Sequence, residues 1–322
     1  MPGPAAGLRG ALPGVTNLPT PARLTVGIVS AGRVGTAVGE ALERAGHVVG
    51  AVVARSAASR ERAARRLPES PALAPAEVVA RSELLVLAVP DAALPAVIAE
   101  IAESGTLRPG TLVVHTAGAH GVGILAPLTG RGARPLAIHP AMTFVGSAED
   151  TARLTRCCFG VTAADEVGAA IATALVLEMG GEPVRIAEGD RTLYHAALAH
   201  GANHLISLVS DAVAALQVAI GGRSGAGYPT ATVDGDPVRL AERILAPLVT
   251  ASLTNVLDLG PAALTGPVAR GDAPAVAGHL AALRDLPIPD ADSLAEGYRI
   301  LALRAAHQSD APQSVVDVLE RR

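Results

Sequence analysis

Residues 24–46, LTVGIVSAGRVGTAVGEALERAG, run as an apolar strand, a tight glycine turn and an amphipathic helix, and that succession constrains the chain more than any other stretch. The turn holds Ser30, Gly32 and Gly35 at the spacing of a G-x-G-x-x-G fingerprint, with Ser30 standing where the first glycine would be. Such a turn lets the backbone approach a pyrophosphate closely, while the free N–H groups opening the next helix point at the anion. The flanks supply the context that a bare glycine pattern lacks: LTVGIV is a buried-strand run and VGTAVGEALERA repeats apolar residues at helical spacing. Ser30, Ala31, Gly32, Arg33, Val34 and Gly35 are therefore expected to hold a dinucleotide.

The second strand, in HVVGAVVARSAASRER (47–62), indicates which dinucleotide. About twenty residues beyond the turn, an NAD-binding protein places Asp or Glu on the adenosine ribose. Here the strand ends in Ala54, Arg55 and Ser56, with Ser59 and Arg60 just beyond. A carboxylate would repel a 2′-phosphate, whereas a guanidinium pairs with it and a hydroxyl adds a hydrogen bond. The expected cofactor is NADP (NADPH), bound through Arg55 and Ser56; the alternative is that Arg55 and Arg60 are ordinary solvated side chains.

Further strand-like runs follow at 83–90 (ELLVLAVP), 111–116 (TLVVHT), 134–140 (RPLAIHP), 158–163 (CFGVTA) and 182–187 (EPVRIA), most of them separated by helical segments. That alternation predicts an α/β fold with a Rossmann-type, mostly parallel sheet whose ligands lie at the carboxyl ends of the strands. Val89-Pro90-Asp91, His115-Thr116-Ala117-Gly118 and His139-Pro140 fall at those ends. Beyond 187 strand patterns cease, and apolar helices are expected at 191–220, 238–259, 273–286 and 292–307, forming a second, all-helical C-terminal domain. The expected organisation is a disordered tail over 1–21, a dinucleotide-binding domain over 22–187 and a helical substrate or dimerisation domain over 188–322. The Gly-rich stretch 221–236 reads as a lid or a disordered connection.

Composition narrows the function classes. With 50% hydrophobic residues in 322, the chain can bury a large core spread over about two domains. A net charge of −4 gives no basic footprint for nucleic acid. The two cysteines, Cys157 and Cys158, are adjacent, make no disulfide framework and read as packing residues of a cytoplasmic protein. The tail has no continuous apolar core like that of a secretory signal, and TLYHAALAHGANHLISLVS (192–210) holds three histidines and an asparagine, which argues against a membrane span. All 26 residues counted as Lys or Arg are arginine, so any mechanism requiring a lysine is excluded.

The two halves, with HPAMTF (139–144) and ALTGPVARGD (263–272) in place, resemble bacterial Rossmann-like proteins whose helical C-terminal half is a domain of unknown function. The wider relatives of that family include ketopantoate reductase, pyrroline-5-carboxylate reductase and prephenate dehydrogenase. Ketopantoate reductase carries a lysine and two asparagines at four-residue intervals on the first helix of its second domain. In YHAALAHGANH (194–204) the same register puts His195 at the lysine, Ala199 at the first asparagine and Asn203 at the second. His195 and Asn203 then lie roughly 80° apart around a helix, and an imidazole can donate a proton near neutrality.

HPAMTF resembles the His-Pro segment beside substrate in prephenate dehydrogenases, which makes His139 a second catalytic candidate. In the helical half, Thr265 and Arg270 are candidates for holding a substrate carboxylate, Thr116 is a third substrate-binding candidate, and Asp272 reads as a helix N-cap. His200 and His204 have an i, i+4 metal-ligand spacing, yet no further ligand stands at a useful spacing, so no metal is expected.

These residues make the expected protein an NADP-dependent reductase of a small 2-oxo acid, similar to ketopantoate reductase of pantothenate biosynthesis and homodimeric. The alternatives are an imine reductase or dehydrogenase resembling the other relatives, or a non-catalytic NADP-binding regulator.

Overall fold

The computed structural model describes residues 23–221, 232–233, 236–237 and 240–321. The expected tail at 1–21 and most of the Gly-rich stretch 221–236 lie outside the described residues. The chain divides into two compact units, Met1–Leu198 and Ala199–Arg322.

In the first unit seven strands form one sheet: β1 (Thr25–Val29), β2 (Val48–Val53), β3 (Leu84–Leu87), β4 (Leu112–His115), β5 (Arg134–Pro140), β6 (Cys158–Ala163) and β7 (Glu182–Arg185), in the order β2-β1-β3-β4-β5-β6-β7. Every pairing is parallel except β5 with β6. Helices α1 (Arg33–Arg44), α2 (Ala57–Arg66), α3 (Pro75–Arg81), α4 (Leu94–Ser104), α5 (Ala126–Thr129), α6 (Glu149–Leu154) and α7 (Glu166–Glu178) connect the strands. This is the mostly parallel, Rossmann-type sheet that the strand runs predict.

β3 shows why those runs are continuously apolar. Leu84 and Val86 join a core with Ala37, Val38 and Ala41 of α1 and Leu175 and Val176 of α7. Leu85 and Leu87 point the other way, into a core with Val78 and Val79 of α3 and Val97, Ile98 and Ile101 of α4. Side chains alternate across a strand, so a strand covered on both faces needs apolar residues at every position.

The helix ends follow local chemistry. Ser56 caps α2 by accepting the Ser59 N–H, and the Ser59 hydroxyl takes the Ser56 N–H in return. Asp165 caps α7 through Gly168 N–H at 2.6 Å and also pairs with Arg134 on β5. A buried Arg66 ties α2 to α1 and α6, donating to both carboxylate oxygens of Glu40, to Thr151 and to the Ser147 carbonyl.

A long helix α8 (Arg191–Gly221) begins in the first unit and continues into the second, where α9 (Leu240–Leu259), α10 (Ala273–Arg284), α11 (Ala291–Gln308) and α12 (Gln313–Glu320) follow. The four helices expected at 191–220, 238–259, 273–286 and 292–307 are present with ends moved by one or two residues. α12 has no counterpart among the expected helices, since eight residues are too few for a clear helical period. Between α8 and α9, Thr232–Val233 and Asp236–Pro237 pair as β8 and β9, a ladder too short for any periodicity to signal in a half expected to be all helical.

α10, α11 and α12 bury Val276, Leu280, Ala302, Ala306, Val315 and Leu319 together. α8 and α9 contrast with them. Ile206 and Leu248 are 60% and 62% exposed, and by length and composition alone segments Glu188–Gly221 and Leu240–Ala263 could each cross a membrane.

Candidate functional site

At the carboxyl end of β1, Ser30 adopts φ +80, the left-handed region that favours glycine, and Ala31 N–H returns to the Val53 carbonyl at 2.9 Å. Gly32 then caps α1 in an extended conformation (φ −75, ψ −167) with no side-chain hydrogen bond. The turn is tight because Gly35 packs on it: a Cβ there would lie 2.1 Å from the Ser30 carbonyl oxygen. At Gly32 the added Cβ would meet only Ser30 Oγ, at 3.4 Å. Gly32, Arg33 and Val34, which open α1, line a cavity among the described residues, and the first N–H groups of a helix are free to bind an anion.

Two cavities meet at this turn and share Ser30, Gly32, Val89 and Pro90 in their walls. The smaller, about 310 Å³, runs toward Arg55, Ser56, Ser59 and Arg62. Arg55 is exposed and donates to both oxygens of Glu100, at 3.1 and 2.9 Å, so its guanidinium is paired rather than free. Ser56 is committed to its capping box, a structural task that its place after β2 did not reveal. Arg62 was not singled out from sequence, yet its Nε is buried without a partner.

The larger cavity, about 410 Å³, has Arg33, Val34, Asp91, Thr116, Gly118, His139 and His195 in its wall. His139 at the end of β5 and His195 on the second turn of α8 stand edge to face with centroids 6.0 Å apart. Gly118, after β4, makes room for both: a Cβ there would come within 2.6 Å of His195 Cδ2 and 3.0 Å of His139 Nε2. His139 Nδ1 lies 2.9 Å from the Tyr194 hydroxyl. Burial, with His195 and Arg191 nearby, lowers the His139 pKa to about 4.

His115, fully buried on β4, has Nε2 2.9 Å from the Gly121 carbonyl and Nδ1 without a partner, and burial lowers its pKa to about 4 as well. One oxygen of Asp91 is also buried and unpartnered.

The cavity thus brings together His139, His195, Thr116 and the glycine turn, which the sequence singled out separately. Asp91 and Gly118, which also follow strand ends, complete that wall, and Tyr194, outside it, hydrogen-bonds His139. Tyr194 is one of three tyrosines in the chain and directly precedes His195, but nothing in the sequence marks its contact with a strand 55 positions earlier.

Asn203, Thr265 and Arg270 are not in its wall. All three lie in the second unit, where Arg270 donates to the Thr265 carbonyl and braces its own loop. Asp272 is the expected N-cap, accepting the Ala275 N–H. His200 Nδ1 and His204 Nδ1 approach to 2.7 Å, and among the described residues no group of three metal-ligating side chains exists. Of the two cysteines read as packing residues, Cys157 is buried but Cys158 is exposed, because neighbouring positions at the strand start face opposite ways.

Residues 13–140 match the model of a Rossmann-like domain, and residues 157–305 match a domain of unknown function, DUF2520. No curated protein matches the chain. Among solved structures, a candidate NADP oxidoreductase from Bacteroides fragilis is 20% identical over 88% of this chain and 98% of its own, with a TM-score of 0.70. A reductive aminase from Aspergillus terreus, solved with NADPH, is 18% identical over 92% of this chain and 99% of its own, with a TM-score of 0.61. Pyrroline carboxylate reductase from Plasmodium falciparum, solved with NADP, is 11% identical over 89% and 98%, with a TM-score of 0.51. At these identities the likeness is one of fold.

Proposed function

From a chain that joins a Rossmann-like domain to a DUF2520 domain, we propose an NADP(H)-dependent reductase acting on the carbon–nitrogen double bond of a small imine. The observation that carries this reading is the pair of cavities meeting at Gly32, one leading to Arg55 and Ser59 and the other to His139 and His195. A dinucleotide laid across the turn would have its diphosphate on the first N–H groups of α1, its 2′-phosphate beside Arg55 and its nicotinamide toward the histidines. Nicotinamide, when bound in its reduced form, supplies the hydride.

The chain's own residues do the rest. His195 gives a proton to the substrate nitrogen as hydride reaches the carbon, and His139 orients the substrate through its other polar groups. Thr116 adds a hydroxyl. Among the described residues, Arg33 is the single arginine in this cavity wall, at the turn, whereas Asp91 contributes a carboxylate with an unpartnered oxygen. That balance suits a nitrogen base better than a 2-oxo acid, whose carboxylate would depend on Arg270 of the other unit. The nucleotide domain in this proposal spans 22–187 and the helical domain 188–322. The exposed apolar side chains of α8 and α9 are taken to be the surface of a homodimer, which light scattering measures.

NADPH oxidation against cyclic imines and 2-oxo acids, run beside calorimetric titration of NADPH, tests the reading. The expected result is turnover of an imine. His195→Ala should lower kcat by about 10²–10⁴, with NADPH affinity nearly unchanged, because the imidazole serves the substrate. Binding without turnover of either class would favour a nucleotide-binding regulator, and turnover of 2-oxo acids alone would restore the ketopantoate-like reading.

A further inference from the structure

Arg191 opens α8 and is 1% exposed. Its guanidinium donates to the Ala137 carbonyl of β5 at 2.9 Å, to the Gly160 carbonyl of β6 at 3.1 Å and to Thr162 Oγ1 at 2.8 Å, all neutral acceptors. Its remaining nitrogen, Nη1, is buried with no partner. The side chain is therefore a buried cation at a helix N-terminus, where the macrodipole is also positive; Glu188 is near enough to favour its charge, but that carboxylate accepts from the Val122 and Gly123 N–H groups, and none of the Arg191 hydrogen bonds goes to a carboxylate. Removing so large a charge from water is expensive, so a structural clamp alone explains it poorly when neutral donors could bridge the same acceptors.

Three residues on, Tyr194 lies with its ring 5.8 Å from the Arg191 guanidinium carbon and its hydroxyl 2.9 Å from His139 Nδ1. A phenol is a far better proton donor than a neutral imidazole N–H, so the tyrosine O–H donates and Nδ1 accepts. The imidazole proton then sits on Nε2, the nitrogen next to Gly118 in the cavity wall.

We propose that Tyr194 and Arg191 are positioning residues that hold His139 as a neutral imidazole with its N–H on Nε2, presented to the cavity as a fixed hydrogen-bond donor. Tyr194 selects the tautomer, while burial first, and then His195 and the buried Arg191 cation, oppose a second proton. The groups acting on His139 are Tyr194, His195 and Arg191 of α8, His115 of β4 and Asp91 after β3; only the Asp91 carboxylate favours the charged ring. The reaction would then have a division of labour, His139 orienting the substrate while His195 alone supplies the proton. This rests on the proposed reductase reading only for its use, since the tautomer is a property of the protein without ligand.

The experiment is a long-range ¹H–¹⁵N correlation of the histidine rings in the full-length, cofactor-free protein, with His139 assigned by loss of its signals in His139→Gln. The expected parent spectrum shows His139 neutral and protonated on Nε2 from pH 5.5 to 8. Tyr194→Phe should give a mixture of tautomers. In a titration carried down to pH 3.5, Arg191→Met should raise the proton affinity of His139 measurably, burial remaining the larger cause of its suppression, and Arg191→Lys should keep it near the parent value. A charged His139 at pH 6.5 in the parent, or an unchanged tautomer in Tyr194→Phe, overturns the proposal. So does an Arg191→Met titration that matches the parent. Should Arg191→Met fail to fold, the parent and Tyr194→Phe spectra still decide. Because no substrate is present, failure to reduce any imine would leave this outcome intact, and the reverse also holds.

Discussion

Substituting the two glycines of the turn separates folding from binding. At Gly35 a Cβ would sit 2.1 Å from the Ser30 carbonyl oxygen, 3.0 Å from Ile28 Cγ2 and 3.2 Å from Ala88 Cβ. The closest of these atoms is backbone, so the clash is relieved only by moving the turn or the helix. Overpacking of this kind costs roughly 3 kcal/mol or more, which for a unit of this size lowers the Tm by about 6–12 °C. At Gly32 the nearest atom to an added Cβ is Ser30 Oγ at 3.4 Å, and the extended backbone at φ −75 and ψ −167 accommodates valine. Gly32→Val therefore costs about 1 kcal/mol or less, chiefly as a poorer N-cap. Its side chain, however, enters the space where both cavities meet, and NADPH affinity should fall at least 100-fold, about 2.7 kcal/mol. Calorimetric melting and NADPH titration of Gly35→Ala and Gly32→Val make the comparison. A Gly32→Val protein that binds NADPH like the parent would show that the turn is not the phosphate site, and a Gly35→Ala protein as stable as the parent would refute the packing argument.

Arg55→Ala should narrow the preference for NADPH over NADH by roughly 1.5–3 kcal/mol, and Glu100→Gln should widen it by freeing the Arg55 guanidinium, both read by calorimetric titration; equal affinities for the two nucleotides in the parent would discard the assignment. Burial pushes the Cys157 thiol up to about 11 while Cys158 is exposed, so a disulfide reagent at pH 8 should titrate one thiol per native chain and none in Cys158→Ser. Because burial holds His115 and His139 at a pKa of about 4, the unfolded chain binds protons the folded chain refuses once the pH drops below about 6.5. Stability should therefore be level above pH 7 and fall toward pH 4, by up to about 1.4 kcal/mol per pH unit for each ring. Urea unfolding at several pH values measures this, and His115→Gln should make the decline shallower.

The nucleotide half was legible because its signals are local. The spacing of Gly32 and Gly35 between a strand and a helix, and the strand ends at Pro90, Thr116 and His139, all lie within short windows of sequence. The residues that give the histidine cavity its character were not. Tyr194 reaches His139 only because the start of α8 lies against β5 and β6, and Arg191 looks like any helix-opening arginine until its contacts with Ala137, Gly160 and Thr162 are formed. Arg55 was legible as a residue, but its pairing with Glu100 depends on where α4 packs, and the second role of Ser56 depends on where α2 starts.

The conformation of Ser30 bears on attempts to make this protein more heat resistant. A serine at φ +80 is strained by about 1–2 kcal/mol relative to glycine, so a screen that rewards melting temperature alone will enrich Ser30→Gly. Its hydroxyl borders the open side of Gly32, where the diphosphate is proposed to lie. Variants from such a screen would gain thermal tolerance while giving up a hydrogen-bond donor to the ligand, and a library built for both properties should leave position 30 untouched.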